Sequence, residues 1–128
     1  MKSRIQIPNE EELTLIKKYL IYPYLLDAFQ DNIQKTNNSH LRFGELFVLQ
    51  LESLTDKISQ ELFEIRKELR YRGIKVFEPV RNKKEITADY LCRGYKGRIT
   101  MLMTRVKAEL EIKIAEFMSV DIEKIKRE

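Results

Sequence analysis

The only cysteine lies in CRGYKGR (residues 92–98), flanked by Arg93, Lys96 and Arg98. Positive neighbours lower a thiol's pKa and make it nucleophilic, so covalent chemistry is the first possibility to test. A cysteine nucleophile also needs a base, and the only histidine, His40, is far away in sequence. The alternation around Cys92 turns it inward beside Ile74, where free cysteines usually sit. Cys92 therefore reads as structural.

The other reactive sets are incomplete. One Cys and one His cannot furnish a zinc site, and a di-iron bundle needs Glu-x-x-His pairs where this chain has Asn37 three residues before His40. Glu61 and Glu64 form one magnesium-type Glu-x-x-Glu turn, but Glu85 and Asp89 are four apart and give no second pair. Glu61 and Glu64 are expected on a solvated helix face. Gly94 and Gly97 match the last two glycines of a dinucleotide fingerprint, with Cys92 where the first belongs. No lysine followed by Ser or Thr closes a phosphate loop. The chain is expected to be non-enzymatic, with no metal and no cofactor.

Charge is more informative than any motif. The net charge is +4, yet residues 66–107 hold thirteen Lys/Arg against four Asp/Glu, between two acidic flanks. Such a band predicts an anionic partner. Part of it has a local cause, because Arg66, Lys67, Arg70 and Arg72 fall in the last turns of a helix, where cations complement the dipole. That does not account for Arg81, Lys83 and Lys84, or for Arg93, Lys96 and Arg98.

The elements that must position these residues are mostly helical, in a single domain over 1–128. Asn9 is a good N-cap with Glu12 at N3, and apolar residues recur at helical spacing over 9–34. Pro23 predicts a break or kink near Tyr22. A long helix over 41–72 carries Leu51, Leu54, Ile58, Leu62, Ile65 and Leu69, and ends at a C-cap glycine, Gly73. At about 45 Å it is long for a chain of this size, which predicts a homodimer through its seam. The period then changes to 2 over IKVFEPV and ITADYLC, predicting a hairpin at 74–92 with Ile74 opposite Cys92 and Val80 opposite Ile86. Glu78 disturbs that face, and Pro79 confines the first strand to an edge or bulge. A final helix is expected over 97–118. The fold class is mainly α, three to four helices with a small β-hairpin inserted before the last; the alternative is all-α.

Extending the hairpin register sets Arg70, Tyr71 and Arg72 beside Lys96, Tyr95 and Gly94, with a second basic cluster at the tip. The candidate contact residues are therefore Arg70, Tyr71, Arg72, Arg81, Lys83, Lys84, Arg93, Tyr95, Lys96 and Arg98. Cations interleaved with exposed tyrosines suit phosphate contact with base stacking. The start of the last helix near Arg98 is expected to hold one phosphate or sulfate. The partner expected is nucleic acid or, as the second reading, an acidic protein surface met by a homodimeric helical adaptor. No apolar run is long enough to span a bilayer, and one cysteine suits the reducing cytoplasm.

Overall fold

The computed structural model describes residues 6–124. Helix α1 (Glu10–Asn38) starts where the cap signal places it. The Glu12 amide donates to Asn9 Oδ1 at 2.8 Å, and the Asn9 amide donates to Glu12 Oε1 at 3.1 Å. Pro23 lies inside α1, and the helix is continuous through it, so it is not broken there. An interior proline costs a helix about 3 kcal/mol. Ile16 and Leu20 before it, and Leu25 and Phe29 after it, are all buried in the shared core and offset that cost.

Helix α2 (Gly44–Tyr71) returns antiparallel to α1, as the pairs Glu12–Arg72 and Tyr22–Glu61 require. Its buried stripe is Leu54, Ile58, Leu62, Ile65 and Leu69. It closes at Gly73, whose φ of 74° lies in the left-handed region that glycine tolerates.

Strands β1 (Ile74–Val76), β2 (Val80–Arg81), β3 (Glu85–Cys92) and β4 (Tyr95–Leu102) follow, all antiparallel. β3 is central, with β4 along one edge and β1 and β2 sharing the other. The expected register holds at Ile74↔Cys92 and Val76↔Tyr90. Past Glu78–Pro79 it slips by one residue, so Val80 faces Thr87 and Arg81 faces Ile86. Three residues on one strand oppose two on the other, which is a bulge at the proline, and it throws Val80 outward to 69% exposure. The slip relieves the conflict that Glu78 would create on the core face.

The last helix corrects the expected boundary. Helix α3 is Met103–Met118, and the residues from Tyr95 to Leu102 are a strand. Ile99, Leu102 and Val106 fit helical spacing, but Lys96, Arg98, Thr100 and Leu102 also alternate with Gly97, Ile99 and Met101. Pairing with the buried Ile86, Ala88 and Tyr90 of β3 decides for the strand. The fold is thus mainly α, with three helices and a small antiparallel sheet before the last. α3 runs antiparallel to α2, with Lys113 at Glu61 and the Phe117 ring at Lys57.

Cys92 is fully buried opposite Ile74. CRGYKGR is a hairpin turn between β3 and β4, not a strand-to-helix joint. Arg93 and Gly94 both have positive φ (50° and 93°), the signature of a two-residue type I′ turn. Gly97 has a different reason to be glycine. It sits opposite Tyr90, and a Cβ there would lie 2.8 Å from Tyr90 Cε1 and closer still to Cζ and Oη.

Candidate functional site

Four of the ten candidate residues form ion pairs within the molecule, and two of these, Arg72 and Arg93, converge on a buried carboxylate. Glu12 is 4% exposed at the start of α1. Arg93 grips it with both terminal nitrogens, Nη2 to Oε1 at 2.9 Å and Nη1 to Oε2 at 3.1 Å. Arg72 adds Nη1 to Oε2 at 3.4 Å and also reaches Glu68 at 2.7 Å and Glu11 at 3.1 Å. Arg93 further donates to the Arg72 carbonyl at 2.8 Å. The Arg93 hydrogen bonds hold the Glu12 carboxyl below its ordinary pKa, against the opposing effect of burial. This clasp joins the start of α1, the end of α2 and the β3–β4 turn. It corrects the expectation that Arg72 and Arg93 are open to a partner.

The phosphate site expected at Arg98 is also absent as drawn. Residues 98–101 belong to β4, so no helix starts there. The Arg98 Nε donates to Asp89 Oδ1 at 2.7 Å across the β3–β4 pair, and Arg98 draws the Asp89 pKa down. Tyr71 and Tyr95 do not face each other in a common register. Tyr71 ends α2 and is 86% exposed, whereas Tyr95 pairs with Cys92 on the helix side of the sheet. Lys96 is likewise opposite Leu91, not Arg70.

What the fold does bring together is the outer face of the sheet. Antiparallel partners share a face, so Lys75, Leu91 and Lys96 stand side by side, with Asp89 and Arg98 next. Phe77 joins them through its amide, which donates to the Asp89 carbonyl at 2.9 Å, and its ring is 42% exposed. A groove of about 710 Å³ runs between Phe77, Leu91, Lys96 and Arg98. A second groove, about 510 Å³, is lined by Arg66, Arg70 and Lys75, and Leu91 borders both. Arg66, Arg70, Lys75, Lys96 and Arg98 therefore rim one adjoining surface with an exposed aromatic ring. Lys75 and Phe77 were not among the expected contact residues. The signal for them was present, since both alternate with the inward Ile74 and Val76.

The hairpin tip is a separate place. Asn82 Oδ1 accepts from the amides of Lys84 and Glu85 at 2.7 and 2.9 Å, which fixes the turn. Lys83 and Lys84 project from it, while Arg81 folds back on α1, over the Tyr24 ring at 5.0 Å and toward Asp27 at 3.5 Å.

Glu61, expected on a solvated face, is half-buried instead. It accepts the Tyr22 hydroxyl at 2.8 Å and pairs with Lys113 at 3.2 Å and Lys18 at 3.6 Å. Burial opposes its charge, but the Tyr22 and Lys113 hydrogen bonds outweigh it and hold its pKa low. Burial and this contact push the Tyr22 phenol up, so it remains a donor. The network links the three helices and engages both Glu61 oxygens in contacts within the molecule.

Among the described residues, no group of three His, Cys, Asp or Glu side chains is placed to hold a metal ion. No described helix is long and apolar enough to cross a membrane. A family model described as YhjD protein matches residues 7–122, nearly all of the described chain. No curated protein and no solved structure matches it.

Proposed function

The chain belongs to the YhjD family, and we propose that it is a small non-enzymatic cytoplasmic binding protein whose partner is nucleic acid. The observation that carries this reading is the adjoining surface of Arg66, Arg70, Lys75, Lys96 and Arg98 around Phe77. Exposed cations supply phosphate contacts and a half-exposed ring supplies a stacking surface, the combination that single strands require. Lys75 lies over one face of the Phe77 ring at 5.2 Å, so a base would stack on the other face. Lys83 and Lys84 at the tip extend the same basic character beyond the grooves. A single, fully buried cysteine supports a reducing compartment.

Fluorescence anisotropy with labelled single-stranded oligonucleotides tests this. Affinity should fall steeply with salt, and unrelated sequences should compete. Absence of binding even at low salt would transfer the function to an acidic protein partner.

A separate observation favours self-association. The seam expected to dimerise is already covered by its own chain from Leu54 to Leu69. Leu41, Phe43, Leu46, Phe47 and Leu49 are not covered, since α3 ends level with Lys57. Phe43 is 74% exposed and sits at a φ of 60°, a conformation costly for a bulky residue. We therefore place the homodimer contact at this end of the α1–α2 pair rather than along all of 41–72. Light scattering at tens of micromolar should give a dimer mass, and Phe47→Glu should return it to monomer.

A further inference from the structure

The helix-facing side of the sheet has a second cationic concavity, at the opposite end of β3 from the clasp. Arg81 pairs with Ile86, so its side chain leaves on that side and meets Tyr24 and Asp27 of α1. A cleft of about 580 Å³ opens there between α1, the β2–β3 turn and α3, lined by Tyr24, Arg81, Asn82, Lys83, Met103 and Lys107. Its three cations come from three different elements. Among the described residues, Asp27 is the one carboxylate that pairs with any of them, at a long 3.5 Å from an exposed guanidinium. Among the described residues, neither Lys83 nor Lys107 has an ion pair.

Uncompensated cations normally separate, so what holds them is informative. The turn is closed by the Asn82 amide donating to the Glu85 carbonyl at 3.0 Å, in addition to the two bonds Asn82 Oδ1 accepts. The Met103 amide donates to the Lys84 carbonyl at 2.8 Å, tying the turn to α3 and hence to Lys107. The Tyr24 ring supports the plane of Arg81 from one side. The lips of the cleft are therefore preformed, and convergent positive charge is kept without an internal counter-charge to match it. The clasp resolves the same problem with Glu11, Glu12 and Glu68; this cleft does not.

We propose that the cleft is a phosphate site, taking a compact multiply charged group such as pyrophosphate or a terminal phosphomonoester. Arg81 retains donors beyond the Nη2 that meets Asp27 and can address oxygens in a plane, while Lys83 and Lys107 act as flanking point charges. The face of Tyr24 toward Arg81 is occupied, so recognition falls on the phosphate and not on a stacked base. Two sources share this chemistry, a free phosphate compound and the phosphorylated end of a strand. Only the second rests on the nucleic-acid reading above.

The test is titration of the isotope-labelled chain with inorganic pyrophosphate, followed by backbone amide shifts. Residues 81–84 and 107 should shift saturably, at concentrations that leave Lys75 and Lys96 unmoved. Lys107→Glu, on an exposed helix position, should weaken binding about tenfold, and Lys83→Glu similarly. Lys35→Glu, the same charge change at the far end of α1, should leave it unchanged. No saturable shift up to about 10 mM would overturn the proposal. So would equal weakening by Lys35→Glu, which would reduce the effect to net charge. A 5′-phosphorylated oligonucleotide binding several-fold tighter than its 5′-hydroxyl form, with the advantage lost in Lys107→Glu, assigns the strand end as ligand. Equal binding of the two oligonucleotides, with pyrophosphate still bound, assigns a free phosphate compound. Pyrophosphate binding with no oligonucleotide binding would sink the nucleic-acid reading and leave the cleft standing.

Discussion

Arg72 and Lys75 are three residues apart, as are Arg93 and Lys96, and the fold sends the members of each pair to opposite fates. Arg72 and Arg93 turn inward around Glu12, where Arg72 meets Glu11, Glu12 and Glu68, and Arg93 meets Glu12 and the Arg72 carbonyl. Lys75 and Lys96 stand on the outer sheet face, where Asp89, a carboxylate of the same face, already has Arg98. A basic band in sequence is thus two populations. One fastens the ends of α1 and α2 to the sheet, and the other remains available to an outside anion. Charge density cannot separate them, because the separating fact is a carboxylate from another part of the chain, eighty-one residues before Arg93.

The strongest way to break that contrast is to remove the carboxylate. Glu12→Gln keeps the size of the side chain but leaves two largely buried guanidiniums without their shared counter-charge. Losing one member of a buried pair costs about 3 kcal/mol, read by urea denaturation at neutral pH. The pH dependence follows from the lowered pKa. The stabilisation is fully present above the unperturbed value of 4.5 and is lost as pH falls through the folded value. The gap between wild type and variant should therefore shrink on acidification below about pH 4.5. A gap that is the same at acid and neutral pH would mean that the charge of Glu12 is not what holds the clasp.

Gly97→Ala comes next and acts between the two regions. The new methyl would overlap the Tyr90 ring, which is buried and cannot swing clear cheaply. Overpacking of this kind costs about 2 kcal/mol. Thermal unfolding would register it, while α3, which starts at Met103, should keep its helical signal.

The open population is tested by charge reversal on the outer face. Lys75→Glu with Lys96→Glu should lower stability by no more than about 1 kcal/mol, because neither lysine has an ion pair among the described residues and Lys75 gives up only its exposed contact with the Phe77 ring. Oligonucleotide affinity should fall at least about tenfold, equivalent to about 1.4 kcal/mol. The salt slope should become shallower by about 1.4 for two lost contacts. Loss of stability with unchanged affinity would invert the assignment of the two populations.

What could be read from the sequence was local. Asn9 with Glu12 announced the start of α1, Gly73 the end of α2, and alternation set Ile74 opposite Cys92, all relations within a few residues or within one hairpin. The second role of Glu12 was not legible, since a capping glutamate looks the same whether or not two arginines arrive from elsewhere. β4 was missed because Ile99, Leu102 and Val106 fit helical spacing while Gly97, Ile99 and Met101 alternate with Lys96, Arg98 and Thr100, and only the pairing with β3 excludes the helix. That single boundary displaced the candidate site, moving Lys96 and Arg98 from a helix start to a sheet face. Phe77 was legible but undervalued, an aromatic residue on the polar side of a strand.

Arg98 lies between the two populations and sharpens the contrast most finely. Like the clasp arginines it meets a carboxylate closely, at 2.7 Å, yet like Lys96 it is exposed, and so is Asp89. Exposed pairs exchange readily with solvent and ions. The pair should therefore behave as part of the open face, with Asp89 acting as a weak internal competitor for phosphate. Asp89→Asn removes the competing charge and leaves Arg98 in place. Oligonucleotide affinity should rise by about threefold, and the salt slope should steepen by about 0.7 as one more phosphate contact forms. The unfolding midpoint should not move. A fall in affinity, or a drop in the midpoint like that of Glu12→Gln, would place Arg98 with the clasp and remove it from the binding face.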